Sequence, residues 1–237
     1  MDVKERILEA ATELLAKSPD ADVSTRAVCE AAGVGAPVLY RHFGDKAGLL
    51  SAVVDHGFER YLASKRAARP SDDPVRDLED GWDNHVRFAV EHPNHYRLMY
   101  SPGLTAPPGA AAEAHRLLRA VLERCAAAGR LRVSPDTATR MIMSANTGVA
   151  LSLIARPHLY PDTDFSDRVR DAVIGAVTRP AVPERPVTRA NGDTDVPSAA
   201  ATLGARLRST PPAALTPAET ALLQQWLAVL ADGHGRS

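Results

Sequence analysis

Apolar residues recur along this 237-residue chain at helical spacing, and no segment shows the strict alternation of a half-buried strand. The first apolar positions step by three or four residues and share one helix face. They are Val3, Ile7, Leu8, Ala11, Leu14 and Leu15. Ser18 and Pro19 end that helix. Ser24 begins a short helix that Gly33 stops, and another follows over about 36–42. The pattern predicts an all-α protein.

Helix starts in the rest of the chain are marked by capping residues, three of them followed by a proline, which is favoured at the first helical position. These starts are Asp45, Asp73-Pro74, Ser134-Pro135 and Thr216-Pro217-Ala218-Glu219. The helix that begins after Asp45 should run to about Leu62. Thr216 and Glu219 have the spacing of a capping box, so we expect a last helix at about 217–231.

These elements divide the chain into four parts. Residues 1–62 are dense in short helical signals, and residues 74–179 form a second, larger helical block. Residues 180–215 hold six of the 18 prolines and little apolar content, which predicts a flexible linker. Residues 216–237 contain a C-terminal amphipathic helix.

Composition narrows the class of protein. With 24% charged and 45% hydrophobic residues and a net charge of -1, the chain fits a globular protein with no global preference for an anionic partner. No apolar run approaches the length of a membrane span, and the charged N-terminus is unlike a signal peptide. We therefore expect a cytoplasmic protein without a membrane partner. Two cysteines, Cys29 and Cys125, exclude a disulfide framework.

Catalytic and metal-binding patterns are not found in the sequence. It contains no nucleophile elbow, zinc-protease helix or glycine-rich phosphate loop, so we expect neither an enzyme nor a cofactor. His85, His92 and His95 are the strongest metal candidates. Pro93 interrupts the helix between them, and no carboxylate or thiol of suitable spacing joins them, so we expect no metal site.

Residues 24–50 have the layout of a helix-turn-helix, in which two short helices meet at a tight turn. Gly33-Val34-Gly35 supplies the turn, and Cys29 is small enough to let the helices approach closely. An apolar wedge between the helices is supplied by Val28, Val34, Leu39 and Phe43. The second helix is then exposed enough to enter a major groove.

This segment resembles the tetracycline-repressor (TetR) family of transcriptional regulators over about residues 5–55. The family pattern is T-x-x-x-[IV]-A-x-x-A-G-V-S-x-x-x-[LIV]-Y-x-[HY]-F-x-x-K-x-x-L. Matched or conservatively replaced positions are Ser24, Val28, Ala32, Gly33, Val34, Leu39, Tyr40, His42, Phe43, Lys46 and Leu49. Two positions depart from it, since Gly35 stands where the family usually has serine and Cys29 where it has alanine.

The resemblance implies a set of residues that contact DNA. They are Ser24, Thr25, Arg26, Ala36, Pro37, Val38, Tyr40, Arg41, His42 and Lys46. Ser24 and Thr25 would meet a phosphate at a helix N-terminus, whereas Tyr40, His42 and Lys46 would hold the backbone across the groove. Arg41 is suited to guanine O6 and N7, and the apolar residues 36–38 to thymine methyl groups. Arg26 is suited to phosphate or base.

The charge of this region points to weak non-specific binding. Residues 1–60 contain seven Lys or Arg against ten Asp or Glu, so the segment lacks an overall basic footprint. We therefore expect specific binding to require a homodimer on a pseudo-palindromic operator, with a shallow salt dependence.

For residues 74–179 the resemblance implies a ligand pocket and a dimer interface. The pocket candidates, for a small apolar or aromatic ligand, are Trp82, His85, Phe88, Tyr96, Met99, Met141 and Asn146. The interface candidates are small residues that allow close helix approach, namely Ala145, Gly148, Ser152, Ala172, Gly175 and Ala176. Plain core packing is the alternative for both sets.

Together these features predict a ligand-released transcriptional regulator, most simply a repressor. The alternative is a helical bundle that binds a ligand or a partner protein and keeps a vestigial helix-turn-helix. The last helix carries an apolar stripe that must be buried somewhere, formed by Leu222, Leu223, Trp226, Leu227 and Leu230. It can pack back on the chain, join a dimer interface or bind a partner, and we expect it to pack back.

Overall fold

The computed structural model describes residues 2–18, 22–67, 69–101, 109–180, 196–210 and 214–232. Within these ranges the chain forms eleven α-helices, and its one β-type pairing is an isolated antiparallel bridge between Leu131 and Thr178. The helices are α1 (Val3–Ala16), α2 (Thr25–Ala32), α3 (Ala36–Phe43), α4 (Lys46–Ala67), α5 (Pro74–Glu91), α6 (Pro93–Met99), α7 (Gly109–Ala127), α8 (Pro135–Ala155), α9 (Phe165–Val177), α10 (Val196–Ser209) and α11 (Pro217–Asp232). None of the described helices is long and apolar enough to cross a bilayer. The all-α prediction is confirmed.

Two compact units make up the fold. The first comprises Met1–Arg69, Asn84–Leu117 and Gly148–Pro161, and the second comprises the rest of the chain. The helices α5, α7 and α8 each contribute residues to both units.

The first unit is organised around α4, which packs against α1, α3 and α6. Its core contains Ile7 of α1, Leu39 of α3, Leu49 and Phe58 of α4, and Tyr96 of α6, all fully buried. This apolar burial is the main stabilising contribution to the unit.

Asn94 connects two elements of the first unit. Its Nδ2 donates to the carbonyl oxygens of Leu15, Ala16 and Ser18, at 2.9 Å for Leu15. Carbonyls at a helix C-terminus have no partner inside the helix. The amide therefore satisfies the end of α1 and holds the start of α6 beside it.

The second unit contains α9, α10 and α11 and the parts of α5, α7 and α8 assigned to it. The α10–α11 hairpin is held by polar anchors as well as apolar contacts. The Ser198 hydroxyl donates to the Leu131 carbonyl at 2.8 Å. The Asp232 carboxylate accepts from Ser134 at 2.5 Å and from Thr137 at 2.7 Å, at the start of α8. The last helix thus packs back on the chain through Leu227 and its C-terminal end, whereas Leu222, Trp226 and Leu230 of the predicted stripe remain exposed.

The predicted helix caps are largely present. The Asp45 and Asp73 carboxylates accept from Gly48 and Val75 backbone N–H groups at 2.7 and 3.0 Å. Thr216 and Glu219 form the reciprocal bonds of a capping box. Ser24 is the exception, because it occupies the N-cap position of α2 without a side-chain hydrogen bond to the helix.

Two predictions about helices are wrong. The helix after Asp45 continues to Ala67 rather than ending near Leu62. The linker predicted over 180–215 is a helix over residues 196–209, whose Ala200, Ala201 and Ala205 are buried. Its proline, Pro197, lies in the first turn, where a missing N–H removes no intrahelical bond. The parts of that segment at 181–195 and 211–213 lie outside the described residues.

Candidate nucleic-acid interface

The turn between α2 and α3 is built by two glycines with different tasks. Gly33 has φ +63, a left-handed conformation that glycine adopts without steric cost, and it ends α2. The Val34 N–H then donates to the Cys29 carbonyl at 3.0 Å. Gly35 occupies the N-cap position of α3, where its carbonyl accepts from Val38 at 2.9 Å. Pro37 follows in the first turn. The two helices are therefore joined by a three-residue turn, as the sequence predicts.

The second helix, α3, presents nearly all of its side chains to solvent. Leu39 is its one buried residue and joins the core that includes Val28 and Leu49, while Phe43 is half-buried. The exposed members of the candidate set on this helix are Ala36, Pro37, Tyr40, Arg41 and His42. Val38 is half-buried. One apolar anchor and a row of exposed side chains is the arrangement that a groove-reading helix requires.

Three further candidates flank this helix. Ser24 and Arg26 are exposed and Thr25 is half-buried, at the N-terminus of α2. The Arg26 Nε donates to Glu30 at 3.0 Å, one turn along the same helix. Both side chains of this pair are largely exposed, so the pair is weak and leaves the guanidinium available to a phosphate.

Lys46 is held by an acid that the sequence analysis did not single out. Its Nζ donates to the Asp22 carboxylate at 2.8 Å, and this hydrogen bond lowers the pKa of Asp22. The two residues are 24 positions apart, and no local pattern signals such a pairing. Asp22 therefore belongs to the candidate site as the partner of the Lys46 ammonium.

Comparison with known families assigns the chain. The model of bacterial regulatory proteins of the tetR family matches residues 7–53, which contain this helix-turn-helix. A tetracyclin repressor-like C-terminal domain model matches residues 78–177. Together the two matches cover more than half of the chain. This chain belongs to the tetR family of bacterial regulatory proteins.

A curated relative of this tetR-family chain is the HTH-type transcriptional regulatory protein RaaS of Mycobacterium tuberculosis. It is 45% identical over 70 residues, which cover 30% of this chain and 32% of RaaS. The match thus spans about a third of that relative's length.

Two solved structures share the fold of this tetR-family chain. FadR from Bacillus subtilis, in complex with stearoyl-CoA, has a TM-score of 0.61 at 14% identity, with 72% of this chain and 97% of that chain covered. A variant of TetR from Acinetobacter baumannii AYE, in complex with minocycline, has a TM-score of 0.56 at 21% identity, with coverage of 74% and 96%.

The pocket candidates of this tetR-family chain fall into three groups. In the first unit, His85, Phe88, Tyr96 and Met99 are all buried. In the second unit, Trp82 and Asn146 are buried together: the Asn146 Nδ2 donates to the Trp82 carbonyl at 3.4 Å, and the Trp82 indole N–H donates to Ser166 at 3.1 Å. Met141 is 41% exposed, so the structure does not place it among the buried candidates.

Asn146 and His85 differ as polar handles for a ligand. The Asn146 Oδ1 is buried and has no hydrogen-bond partner within the described part of the chain. Both ring nitrogens of His85 are used, Nδ1 by the Tyr61 hydroxyl at 3.0 Å and Nε2 by the Tyr96 hydroxyl at 2.6 Å. Asn146 therefore keeps an unused hydrogen-bond acceptor, whereas both ring nitrogens of His85 are occupied.

The Tyr61–His85–Tyr96 chain of hydrogen bonds joins α4, α5 and α6. A neutral imidazole has one donor and one acceptor nitrogen, so one tyrosine donates to the ring and the other accepts from it. Burial, reinforced by the Lys65 charge, lowers the pKa of His85 to about 3 and keeps the ring neutral. Burial also lowers the pKa of Lys65 to about 8, and its ammonium lies 4.9 Å from the centre of the Tyr61 ring. Sequence reasoning missed Tyr61 and Lys65, whose relation to His85 depends on tertiary packing.

The interface candidates lie largely at the surface of the described structure. Gly148 of α8 and Ala172, Gly175 and Ala176 of α9 are exposed. A Cβ atom built on either of the two glycines would meet no described atom within 4 Å. The remaining two candidates, Ala145 and Ser152, are half-buried.

Proposed function

We propose that this tetR-family chain is a DNA-binding transcriptional repressor that works in the cytoplasm as a homodimer and is not an enzyme. The observation that carries the proposal is α3, with Leu39 buried beneath it and Ala36, Pro37, Tyr40 and Arg41 on its surface. A homodimer presents two such helices, which suits a pseudo-palindromic operator.

Each side chain on this surface has a distinct task in the proposal. Arg41 makes the base-specific contact, because a guanidinium can donate twice to guanine O6 and N7. Tyr40, His42 and Lys46 contact the phosphate backbone and set the register, which gives affinity without sequence preference. Ser24, Thr25 and Arg26 hold a phosphate at the start of α2, while Ala36, Pro37 and Val38 pack on thymine methyl groups.

The small-residue surfaces of α8 and α9 support the dimer. Exposed glycine and alanine allow helix axes to approach closely. In the proposal Gly148, Ala172, Gly175 and Ala176 lie in that contact, with Ala145 and Ser152 at its edge.

A small ligand is proposed to release the protein from DNA by stabilising a conformation in which the two α3 helices have the wrong spacing. FadR of Bacillus subtilis and the TetR variant of Acinetobacter baumannii were solved with stearoyl-CoA and minocycline, which supports an apolar or aromatic ligand here. The buried Asn146 Oδ1 supports a ligand that also carries a hydrogen-bond donor.

The test is a fluorescence-anisotropy titration of the full chain against DNA from upstream of its own gene, with excess competitor DNA. Where the wild type binds in a saturable way, Arg41→Ala is expected to lose about 1–3 kcal/mol of discrimination for the correct sequence. Its matched control is Arg116→Ala, which removes an equally long, exposed arginine from α7.

Two results would contradict this proposal. One is equal loss of affinity in Arg41→Ala and in the Arg116→Ala control. The other concerns candidate operators obtained by selecting genomic DNA fragments that bind the protein. If excess competitor DNA abolishes binding to every one of them, the chain has no specific operator. The latter would favour a ligand-binding bundle whose helix-turn-helix is vestigial.

A further inference from the structure

The last helix carries an apolar surface that the fold leaves uncovered. We define the α11 stripe as Leu222, Trp226, Val229 and Leu230, which follow one another at spacings of four, three and one and so share a helix face. Trp226 is 58% exposed, and the other three are between 45% and 48% exposed. The predicted stripe included Leu223 and Leu227, but these face the hairpin partner instead.

The docking of α11 on α10 uses a different side of the helix. Leu227 and Ala231 are buried against Ala200 and Ala201, with Leu223 partly buried beside them. The hairpin is thus closed without the α11 stripe. Four large apolar side chains in a row on a surface helix are unusual for a protein that remains alone in solution.

The stripe also lies outside the part of the chain that the family accounts for. The C-terminal family model ends at residue 177, well before α10 begins. Both solved relatives described above are almost completely covered by about three quarters of this chain. The α10–α11 hairpin therefore lies outside both family models, and its surface calls for a separate explanation.

Charge distribution argues against a lipid surface as the occupant. From Thr220 to Ala231 the helix contains no Asp, Glu, Lys or Arg, and the charged residues that flank it, Glu219 and Asp232, are both acidic. Helices that lie on membranes carry basic residues that attract anionic headgroups. This helix has the opposite sign at its ends.

Composition argues against the segments on either side of the hairpin as the occupant. Residues 181–195 contain five charged side chains and no leucine, isoleucine or aromatic residue. Residues 233–237 contain no apolar side chain larger than glycine. Neither segment has the apolar area to match four large side chains.

The same features suit a second copy of the chain. A two-fold contact places the same surface patch opposite itself, so a patch of one charge sign would repel its copy and an uncharged patch does not. Gln225, exposed beside Trp226, has an amide that both donates and accepts, so it can bond to the same amide across the axis. We propose that the α11 stripe pairs with the α11 stripe of a second copy, helix against helix, with Trp226 near the axis.

This contact is independent of DNA binding and of the surfaces on α8 and α9, so the first test uses the full chain without DNA. Sedimentation velocity over a wide concentration range is expected to show an assembly that Val229→Glu converts to one of half the mass, whether the wild type is a dimer or a dimer of dimers. The association should weaken about tenfold or more. The control Val90→Glu, which alters an equally apolar and exposed position on α5, should leave the mass unchanged.

Tryptophan fluorescence tests the same contact directly, because the chain has two tryptophans and Trp82 is only 2% exposed. The difference between the wild type and Trp226→Phe isolates the Trp226 signal. Its quenching by acrylamide should decrease as the protein concentration rises, and Val229→Glu should abolish that decrease.

Several outcomes would overturn the proposal. One is a Trp226 that is equally accessible to acrylamide at every protein concentration, which would mean that the stripe stays uncovered. Another is a Trp226 that is shielded even in the smallest species, which would mean that the chain covers its own stripe. Shielding that appears only with vesicles of phosphatidylcholine and phosphatidylserine would identify lipid as the occupant. A mass that Val229→Glu leaves unchanged would exclude the contact.

Discussion

Two cationic residues at the candidate interface form ion pairs within the chain in the absence of DNA. Lys46 is paired with Asp22 and Arg26 with Glu30, so two of the cations proposed to meet phosphates each face an acid. Both pairs are exposed, and such pairs contribute at most about 1 kcal/mol. In the proposal a DNA phosphate must displace each acid from its cation. Breaking the two ion pairs therefore lowers the affinity for DNA.

The first prediction concerns Asp22. Asp22→Asn removes the partner charge and leaves the Lys46 ammonium to the DNA backbone. Operator affinity should rise up to about fivefold, whereas the slope of log affinity against log salt should stay near its wild-type value, because the number of neutralised phosphates is the same. Anisotropy titrations at several salt concentrations measure both quantities.

The control for this variant is Asp136→Asn, which breaks a similarly exposed pair with Arg119, 3.1 Å long, at the start of α8. It should leave DNA affinity unchanged. Weaker binding by Asp22→Asn would show that Asp22 positions Lys46 rather than competing for it.

The second prediction concerns pH and His85. Burial lowers the pKa of this ring to about 3 in the folded chain, from an ordinary value of about 6.5. Between these values the unfolded chain binds a proton that the folded chain does not, so stability falls as the pH falls through this window. The slope approaches about 1.4 kcal/mol per pH unit for this one group. Burial also lowers the pKa of His95, which acts in the same direction.

Urea denaturation at several pH values between neutral and mildly acidic measures this slope. His85→Gln should reduce the slope by up to about 1.4 kcal/mol per pH unit, the contribution of one proton. The glutamine amide can still bond to Tyr61 and Tyr96 but does not titrate. His115→Gln, at an exposed position on α7, should retain the wild-type slope. An unchanged slope in His85→Gln would mean that the ring takes its proton inside the folded chain.

At the level of helices, glycines in α4 and α5 have opposite surroundings. A Cβ built on Gly57 of α4 would lie 2.5 Å from the His95 ring of α6, whereas one built on Gly81 of α5 would meet nothing within 4 Å. Replacing a helical glycine with alanine gains about 1 kcal/mol of helix propensity when there is room.

The third prediction follows from this difference. Gly57→Ala should destabilise the protein by about 1–3 kcal/mol, because overpacking against a buried ring outweighs the gain in propensity. Gly81→Ala should stabilise it by up to about 1 kcal/mol. Urea denaturation of the two variants measures the difference, and stabilisation by both would show that α4 and α6 can separate without cost.

Helices could be predicted from the sequence wherever a cap coincided with a strong apolar period. Asp73, Thr216 and Gly33 mark true helix ends because capping is a local interaction. The helix α10 was missed because its buried positions are alanine, serine and glycine, which give almost no hydrophobic period. It forms because α11 supplies the larger side chains of the hairpin. A helix that is stabilised by such a tertiary contact has no hydrophobic period of its own from which to be predicted.

Over the whole molecule, the local signals were reliable for the helix-turn-helix and weak elsewhere. The exposure of α3 follows from the position of Leu39, a short-range property. The Lys46–Asp22 pair and the Tyr61–His85–Tyr96 chain join residues brought together only by tertiary packing. The same limit applies to the compact units, since α5, α7 and α8 contribute to both.

The last prediction concerns how the whole molecule binds DNA despite its net charge of -1. The cations proposed to meet phosphates are Arg26 and Lys46, two for each protomer and four for a dimer. Because each neutralised phosphate releases its counterions, the slope of log affinity against log salt should be about -4 for a dimer. A slope twice as steep would mean that basic groups outside the helix-turn-helix also meet the DNA.

Loss of one phosphate-contacting lysine distinguishes a symmetric complex from a single bound chain. In a dimer, Lys46→Ala removes two phosphate contacts and should reduce the magnitude of the slope by about 2, whereas in a bound monomer the reduction is about 1. Titration of a full operator and of a half-site by the same variant measures both cases. A reduction of about 1 on both DNAs would rule out the two-fold arrangement, because each bound protomer must lose its own copy of Lys46.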